Sequence, residues 1–432
     1  MVAKLRIGLA GLGTVGTGVL DLLARNGNEI EARTGKKLEV VAVTARSNSR
    51  VRGAHDLSGL VWAENPQALA VHPDVDVLVE LIGGDGDPAY ASVQAALAAG
   101  KSVVTANKAL LAHHGGELAR LADANHAGLY FEAAVAGGIP VVKTLREGLA
   151  GNQVSRVSGI LNGTCNYILT KMADEGRSFD DVLVEAQKLG YAEADPTFDV
   201  GGFDAAHKLA VLTALAFGTE PDLKSIEIEG ISHVTLEDIR NADAMGYKIK
   251  LLGVCADTGD GIEQRVHPML VRKGSPIGEV DGVFNAAAIH GDFVGDLMLV
   301  GRGAGAHPTA SAVLSDLCDI ARGNRVPAFG VPGAKLKPFR AAPAQTHAGG
   351  YYVALDLHDR PGAVAAIAQR LAERNISIES IVQRAPQTAA ETAPFILTTH
   401  DTQESDMRAA LSQIEKDGYA ARPPRMIRME RL

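Results

Sequence analysis

The sequence predicts an α/β protein: a doubly wound parallel sheet, an α+β region, and a small C-terminal βαββαβ module. Three observations carry this expectation. Short apolar runs alternate with helical patterns over residues 1–150, a glycine turn joins the first run to the first helix, and a Pro/Ala/Gly-rich stretch at 331–349 precedes a second alternating series.

Leu5–Ala10 reads as a buried strand, followed at once by Gly11-Leu-Gly-Thr-Val-Gly16 and a helical pattern through Val19, Leu20, Leu22 and Leu23. Strand, glycine turn and helix in that order form the dinucleotide fingerprint of a Rossmann-type fold. Gly11 permits the turn, Gly13 with Thr14 and Val15 offers the helix N-terminus to a pyrophosphate, and Gly16 lets helix and strand pack closely. Strands at Leu38–Thr44, Val75–Leu81 and Ser102–Thr105, with a helix at Pro88–Ala99, continue the alternation. The second strand ends in Thr44-Ala-Arg46-Ser47, where an acid would select NAD. An arginine there suits the 2′-phosphate of NADP, with Arg50 or Arg52 as helpers. Gly84, Lys108 and Gly305 complete the expected cofactor contacts.

A second region, 151–300, reads as an α+β domain. It has a strand at Val154–Leu161, helices through Tyr167–Leu189, a helix from Gly202, and strands at Lys248–Ala256 and Glu263–Val271. The glycine-rich GRGAGAHPTASAV segment then opens a helix at Pro308–Ala321, so residues 300–330 are expected to rejoin the cofactor domain. Beyond the 331–349 linker, residues 350–432 read as a strand at Tyr351–Leu357, a turn at Asp359–Gly362 and a helix at Ala363–Arg374. Strands at Ser377–Gln383 and Pro394–His400, a helix at Met407–Gly418 and a final strand follow.

Composition narrows the function. A net charge of -9, with no concentrated Lys/Arg run and 4% aromatics, argues against a nucleic-acid partner. The absence of an apolar run of about 18 residues and of a signal-peptide pattern argues against a membrane and for a cytoplasmic location. Cys165, Cys255 and Cys318 are too scattered for a disulfide framework or a zinc cluster.

The chemistry concentrates in Tyr191–Lys208, YAEADPTFDVGGFDAAHK. Asp204 and Lys208 stand four apart on one helix face, a spacing that on most helices makes a solvated ion pair. The helix continues as Leu209–Ala216, apolar nearly all round, so this pair is expected to be buried. Cys165 is a second candidate: as a nucleophile it would make the protein an acylating semialdehyde dehydrogenase. No nearby motif supplies the histidine such a thiol needs, and the histidines, His207 included, lack metal-ligand spacing.

Six ordered segments together resemble homoserine dehydrogenases: GLGTVG at Gly11, VELIGG at Val79, TANK ending at Lys108, EAAVAGGIP from Glu132, SGILNGTCNYIL from Ser158, and the segment ending at Lys208. The C-terminal module resembles an ACT domain in its DRPG turn at Asp359 and its Asn375-Ile-Ser377 element. The resemblance implies reversible NAD(P)H-dependent reduction of L-aspartate 4-semialdehyde to L-homoserine, a step toward threonine, methionine and isoleucine. It makes 151–300 the substrate-binding and dimerisation domain, and it implies Lys108 and Lys208 in proton transfer, and Glu193, Asp204 and Lys208 in substrate binding. It also implies a monovalent cation such as sodium or potassium held by Glu132 and the carbonyls of Val135, Gly137 and Ile139, a homodimer or homotetramer, and an amino-acid effector, threonine, at the ACT domain. A catalytically inactive amino-acid sensor is the remaining alternative.

Overall fold

A computed structural model describes residues 3–47, 55–343, 347–358, 360–383 and 392–430. Among them, six strands form a wholly parallel sheet: β1 (Ala3–Ala10), β2 (Lys36–Thr44), β3 (Val61–Trp62), β4 (Val77–Glu80), β5 (Ser102–Thr105) and β6 (Leu129–Tyr130), in the order β3-β2-β1-β4-β5-β6. The order reverses between β1 and β4, which opens a crevice at the strands' carboxyl ends. Helices cover both faces, so these strands are apolar on both sides: Ile7, Leu9, Val77, Leu78, Val79, Val103 and Val104 are buried. The Ala306–Arg322 helix packs back on this domain, placing Ala310, Val313, Leu314 and Leu317 in one core with Ile7, Leu9, Val19 and Leu20. Its approach is close enough that a Cβ on Gly18 would lie 2.7 Å from the Ala306 carbonyl oxygen.

The other strands form one large mixed sheet. The substrate region contributes β7 (Val154–Ile160), β8 (Glu227–Ile228), β9 (Tyr247–Asp257), β10 (Ile262–Arg272), β11 (Phe284–Gly291) and β12 (Gly295–Arg302). The C-terminal module adds β13 (Ala348–His358), β14 (Ile378–Gln383), β15 (Thr392–Thr399), β16 (Thr402–Gln403) and β17 (Arg425–Met429), with helices at Ala363–Ala372 and Glu404–Lys416. The order β12-β11-β7-β9-β10-β17-β13-β15-β14 runs unbroken through both regions. The junction is β17, which pairs in parallel with β10 (Met269 with Arg428, Leu270 with Met429) and antiparallel with β13. The stretch read as a linker is therefore stitched down: the Ile262 N–H donates to the Arg340 carbonyl at 2.8 Å, and the Lys337 N–H to that of Gly218 at 3.0 Å.

The Phe203–Phe217 helix lies against β7, β9 and β10, sharing a core with Val157, Ile249, Leu251 and Val266. That explains its all-round apolar sequence. Leu209, Ala210, Val211, Leu212 and Ala214 are wholly buried, and the polar residues that open the helix emerge from the packed layer towards the crevice. Asp359, the first residue of the DRPG turn, lies outside the described residues.

Candidate active site

The lysine at 108 is placed by its neighbours. Strand β5 ends at Thr105, whose hydroxyl donates to Glu80 Oε2 at 2.6 Å and accepts the Asn107 N–H at 2.9 Å. Asn107 then caps the next helix, its Oδ1 accepting the Leu110 N–H at 3.1 Å while its Nδ2 donates to the Gly84 carbonyl at 2.6 Å. Lys108 is thereby the first residue of the Lys108–Ala124 helix. A cation at the positive end of a helix dipole is disfavoured and needs a nearby anion.

Asp204 supplies it. Lys108 Nζ lies 3.1 Å from Asp204 Oδ1, and Lys208 Nζ donates to Asp204 Oδ2 at 2.6 Å and to the Leu161 carbonyl at 2.7 Å. Two ammonium groups from distant parts of the chain thus share one buried carboxylate. Burial alone would raise the Asp204 carboxyl, but the Lys208 and Lys108 charges outweigh it and hold the group well below the ordinary carboxylate range. Asn162 Nδ2 donates to Asp204 Oδ2 at 2.9 Å and to Asp199 Oδ1 at 2.8 Å. Burial, with Asp204 nearby, raises the Asp199 carboxyl.

These groups line a cleft of about 620 Å³ between the two sheets, together with Val15, Ala106, Glu193 and Gly303–Gly305. Both lysines open onto it, and Glu193 is exposed at its wall. Asp199 and Asn162 are site residues that the sequence reading does not single out, although both sit inside segments it quotes. Glu80 is another: it is fully buried, and its Oε1 accepts the Ile82 N–H at 2.6 Å and the Gly83 N–H at 3.2 Å, which fixes the turn after β4.

The glycine turn fits a dinucleotide. Gly11 has φ +103, and a Cβ on it would lie 2.6 Å from the Leu81 carbonyl oxygen, while one on Gly16 would lie 2.2 Å from that of Gly11. Gly13 differs, for a Cβ there would meet nothing within 4 Å. It is the N-cap of the Thr14–Thr34 helix without any side-chain cap, so the first-turn amides face open space suited to a phosphate. Gly305, φ +124, caps the start of the Ala306–Arg322 helix at the same cleft. Gly84 lines a second, smaller cavity that shares Ala106 and Lys108 with the first. Arg46 is exposed just beyond β2, and Arg50 and Arg52 lie outside the described residues.

Glu132 is buried, and its two carboxylate oxygens accept the Val142 N–H at 2.9 Å and the Lys143 N–H at 2.8 Å. It therefore acts as a hydrogen-bond hub for the turn that follows. Burial, then repulsion from Asp316, pushes its carboxyl up to about 7. The Val135–Ile139 bend is also buried apart from Gly138, with Ala136 and Gly137 both left-handed at φ 56 and 52; the Ile139 carbonyl already accepts the Val141 N–H at 2.8 Å. Carboxylate and backbone carbonyl oxygens are donors of the class a hard cation takes.

The surroundings of Cys165 do not suit a nucleophile. Its thiol is fully buried and donates to the Asp199 carbonyl at 3.2 Å, and burial with the Asp199 and Asp204 charges pushes it well above the ordinary thiol range. It packs in the first turn of the Gly163–Glu175 helix, which Asn162 caps through the Cys165 N–H at 2.8 Å.

Known proteins place the chain. Residues 11–132 match the family model described as homoserine dehydrogenase, NAD binding domain; residues 140–318 match that of homoserine dehydrogenase, and residues 351–418 that of the ACT domain. The homoserine dehydrogenase of Neisseria gonorrhoeae is 44% identical over 434 residues, covering 99% of this chain and 98% of that protein. The crystal structure of a homoserine dehydrogenase from Thiobacillus denitrificans superposes with a TM-score of 0.93 at 44% identity, over 99% of this chain and 98% of the other. A hyperthermophilic archaeal homoserine dehydrogenase mutant, solved in complex with NADPH, matches with a TM-score of 0.63 at 32% identity, over 73% of this chain and 97% of that one. With an NAD-binding domain, a catalytic domain and an ACT domain in this order, the chain belongs to the homoserine dehydrogenases, which are oxidoreductases.

Proposed function

We propose that the protein interconverts L-aspartate 4-semialdehyde and L-homoserine with NADP(H), with Lys108 and Lys208 as the proton-transfer pair. The observation that carries this reading is the single buried carboxylate, Asp204, held between two ammonium groups at the cleft. When bound, the reduced nicotinamide supplies a hydride to the aldehyde carbon. The carbonyl oxygen then needs a proton, and an N–H of a positioned ammonium group delivers it. Asp204 keeps both cations in place, and Glu193 at the cleft wall provides an anion for the substrate's α-ammonium group. Asn162 ties Asp199 to Asp204, so the second carboxylate holds the first in register.

Gly11, Gly13, Thr14, Val15, Gly16, Gly84 and Gly305 would hold the dinucleotide, and Arg46 would read its 2′-phosphate. The exposure of Arg46 at the carboxyl end of β2 supports an NADP preference. Glu132 with the carbonyls of Val135, Gly137 and Ile139 would hold sodium or potassium, whose charge would keep Glu132 ionised beside Asp316. The ACT domain would bind threonine and restrain turnover in a homodimer or homotetramer. Steady-state kinetics of homoserine oxidation with NADP and NAD, with and without threonine and with graded potassium, test these assignments together. Absence of homoserine-dependent NADPH formation would remove the central one.

A further inference from the structure

The two lysines differ in one respect that the shared carboxylate hides. Lys208 lines the main cleft and is otherwise sealed, its Nζ committed to Asp204 and the Leu161 carbonyl. Lys108 also forms the wall of the second cavity, about 340 Å³, whose other lining includes Gly84, Asp85, Asn107, Phe198 and His207. That volume holds several water molecules at about 30 Å³ each. With substrate in the main cleft and the dinucleotide against Gly84, the end of this cavity lined by Asp85, Phe198 and His207 is the side from which Lys108 remains reachable.

The groups around it are of the kind that carry protons. His207 is half-buried, and its Nδ1 is buried with no hydrogen-bond partner. The His113 ring meets it edge-on with centroids 5.6 Å apart, and His113 Nε2 lies 3.6 Å from Asp85 Oδ2 at the surface. Phe198 packs edge-on against His207 with centroids 5.4 Å apart, and its ring centroid sits 5.9 Å from Lys108 Nζ. The charged groups felt by His207 are His113, Lys108, Asp204 and Asp85, from its own helix, the Lys108–Ala124 helix and the turn after β4.

We infer that Asp85, His113 and His207 form, with water in the second cavity, a proton relay that recharges Lys108 after each reduction. The inference rests on the proton-donor role proposed above and assigns the solvent-exchanging member of the pair to Lys108. The step balances simply. Reduction leaves Lys108 as a neutral amine; an imidazolium in the relay gives it one proton, and one hydronium ion or buffer acid arriving from solvent at the Asp85 end recharges the imidazole. Imidazolium is a stronger acid than an alkylammonium by about four pKa units, so the transfer toward the lysine runs downhill. Burial, with His113 and Lys108 alongside, lowers His207 further, the direction that favours passing a proton on. His207 acts through Lys108 and touches no reacting atom.

The test is semialdehyde reduction by the full-length enzyme carrying His207→Gln, His207→Ala or His113→Gln. The expected result is a fall in kcat of about tenfold, the lower part of the range for proton-transfer groups, with KM unchanged. The loss should deepen as pH rises and protons become scarce, and added imidazole should restore turnover in His207→Ala. Wild-type kcat and pH profile in both Gln variants, or a loss that imidazole does not relieve and pH does not modulate, overturns the relay. Lys108→Ala separates the two layers: its collapse beside normal Gln variants refutes only the relay, whereas its near-normal turnover refutes the donor role and the relay with it.

Discussion

Asp204→Asn is the substitution on which the site's logic turns. The amide keeps the shape and one acceptor oxygen but deletes the charge shared by Lys108, 3.1 Å away, and Lys208, 2.6 Å away. Unit charges about 4 Å apart interact by about 4 kcal/mol at an effective dielectric near 20, and stranding one member of a buried pair costs about 3–5 kcal/mol. Asp204 is 6% exposed, so solvent offers little relief. If that cost falls on the arrangement the transition state needs, at about 1.4 kcal/mol per decade kcat/KM drops by roughly two to three and a half orders of magnitude. Homoserine-dependent NADPH formation reads the loss, and thermal melting checks that the variant is folded. Because the carboxylate acts through the lysines, the double variant with Lys208→Ala should lose clearly less than the sum of the singles, with a coupling of about 1 kcal/mol or more. Activity within about threefold of wild type, or strictly additive losses, would refute the reasoning.

Lys108→Ala and Lys208→Ala should each lower turnover by about a hundredfold or more, and near-normal rates in both would remove the proton-transfer assignment. Arg46→Ala should erase the preference for NADP over NAD in the ratio of Michaelis constants; an unchanged ratio excludes it as the phosphate reader. Glu404 is 5% exposed where the module meets β10; burial would raise its carboxyl, but Arg428, Arg265 and Arg408 hold it down at about 2. Its stabilisation is full above the unfolded value near 4.5 and is lost as pH falls towards 2. Glu404→Gln should therefore cost about 2–3 kcal/mol at pH 7, measured by denaturant unfolding, and progressively less as pH falls from 4.5 to 2; a pH-independent difference would contradict the ion-pair account. Deletion from about residue 345 should abolish inhibition by threonine while lowering the melting temperature, because β10 loses β17; inhibition that survives the deletion excludes the regulatory role.

Much of this was legible in the sequence because local chemistry and global fold agree there. The parallel strands are continuously apolar, the glycine turn has one geometry open to it, and an apolar helix carrying Asp204 and Lys208 has to be buried somewhere. What stayed hidden depends on long-range pairing. Nothing near Asn162 announces that its amide bridges Asp199 and Asp204, and nothing in VELIGG announces that Glu80 is a fully buried anchor for the turn that follows it. The β11–β12 hairpin escaped notice because its apolar residues alternate weakly and its tip carries the exposed Phe293. The linker looked loose because proline and glycine mark turns, while backbone bonds from Gly218 and Ile262 give no trace in composition.

The pairing of β17 with β10 has a consequence for how the molecule comes into being. Until Arg428 and its neighbours have emerged from the ribosome, β10 presents an unpaired edge at Met269 and Leu270, beyond the stretch that β8 covers, and Arg265 waits without the Glu404 carboxylate that it meets at 2.9 Å. A naked edge of that kind invites pairing with the wrong chain. The catalytic half is therefore most open to mispairing before the ACT domain arrives to close that edge, which gives the C-terminal module a part in folding the domain it joins.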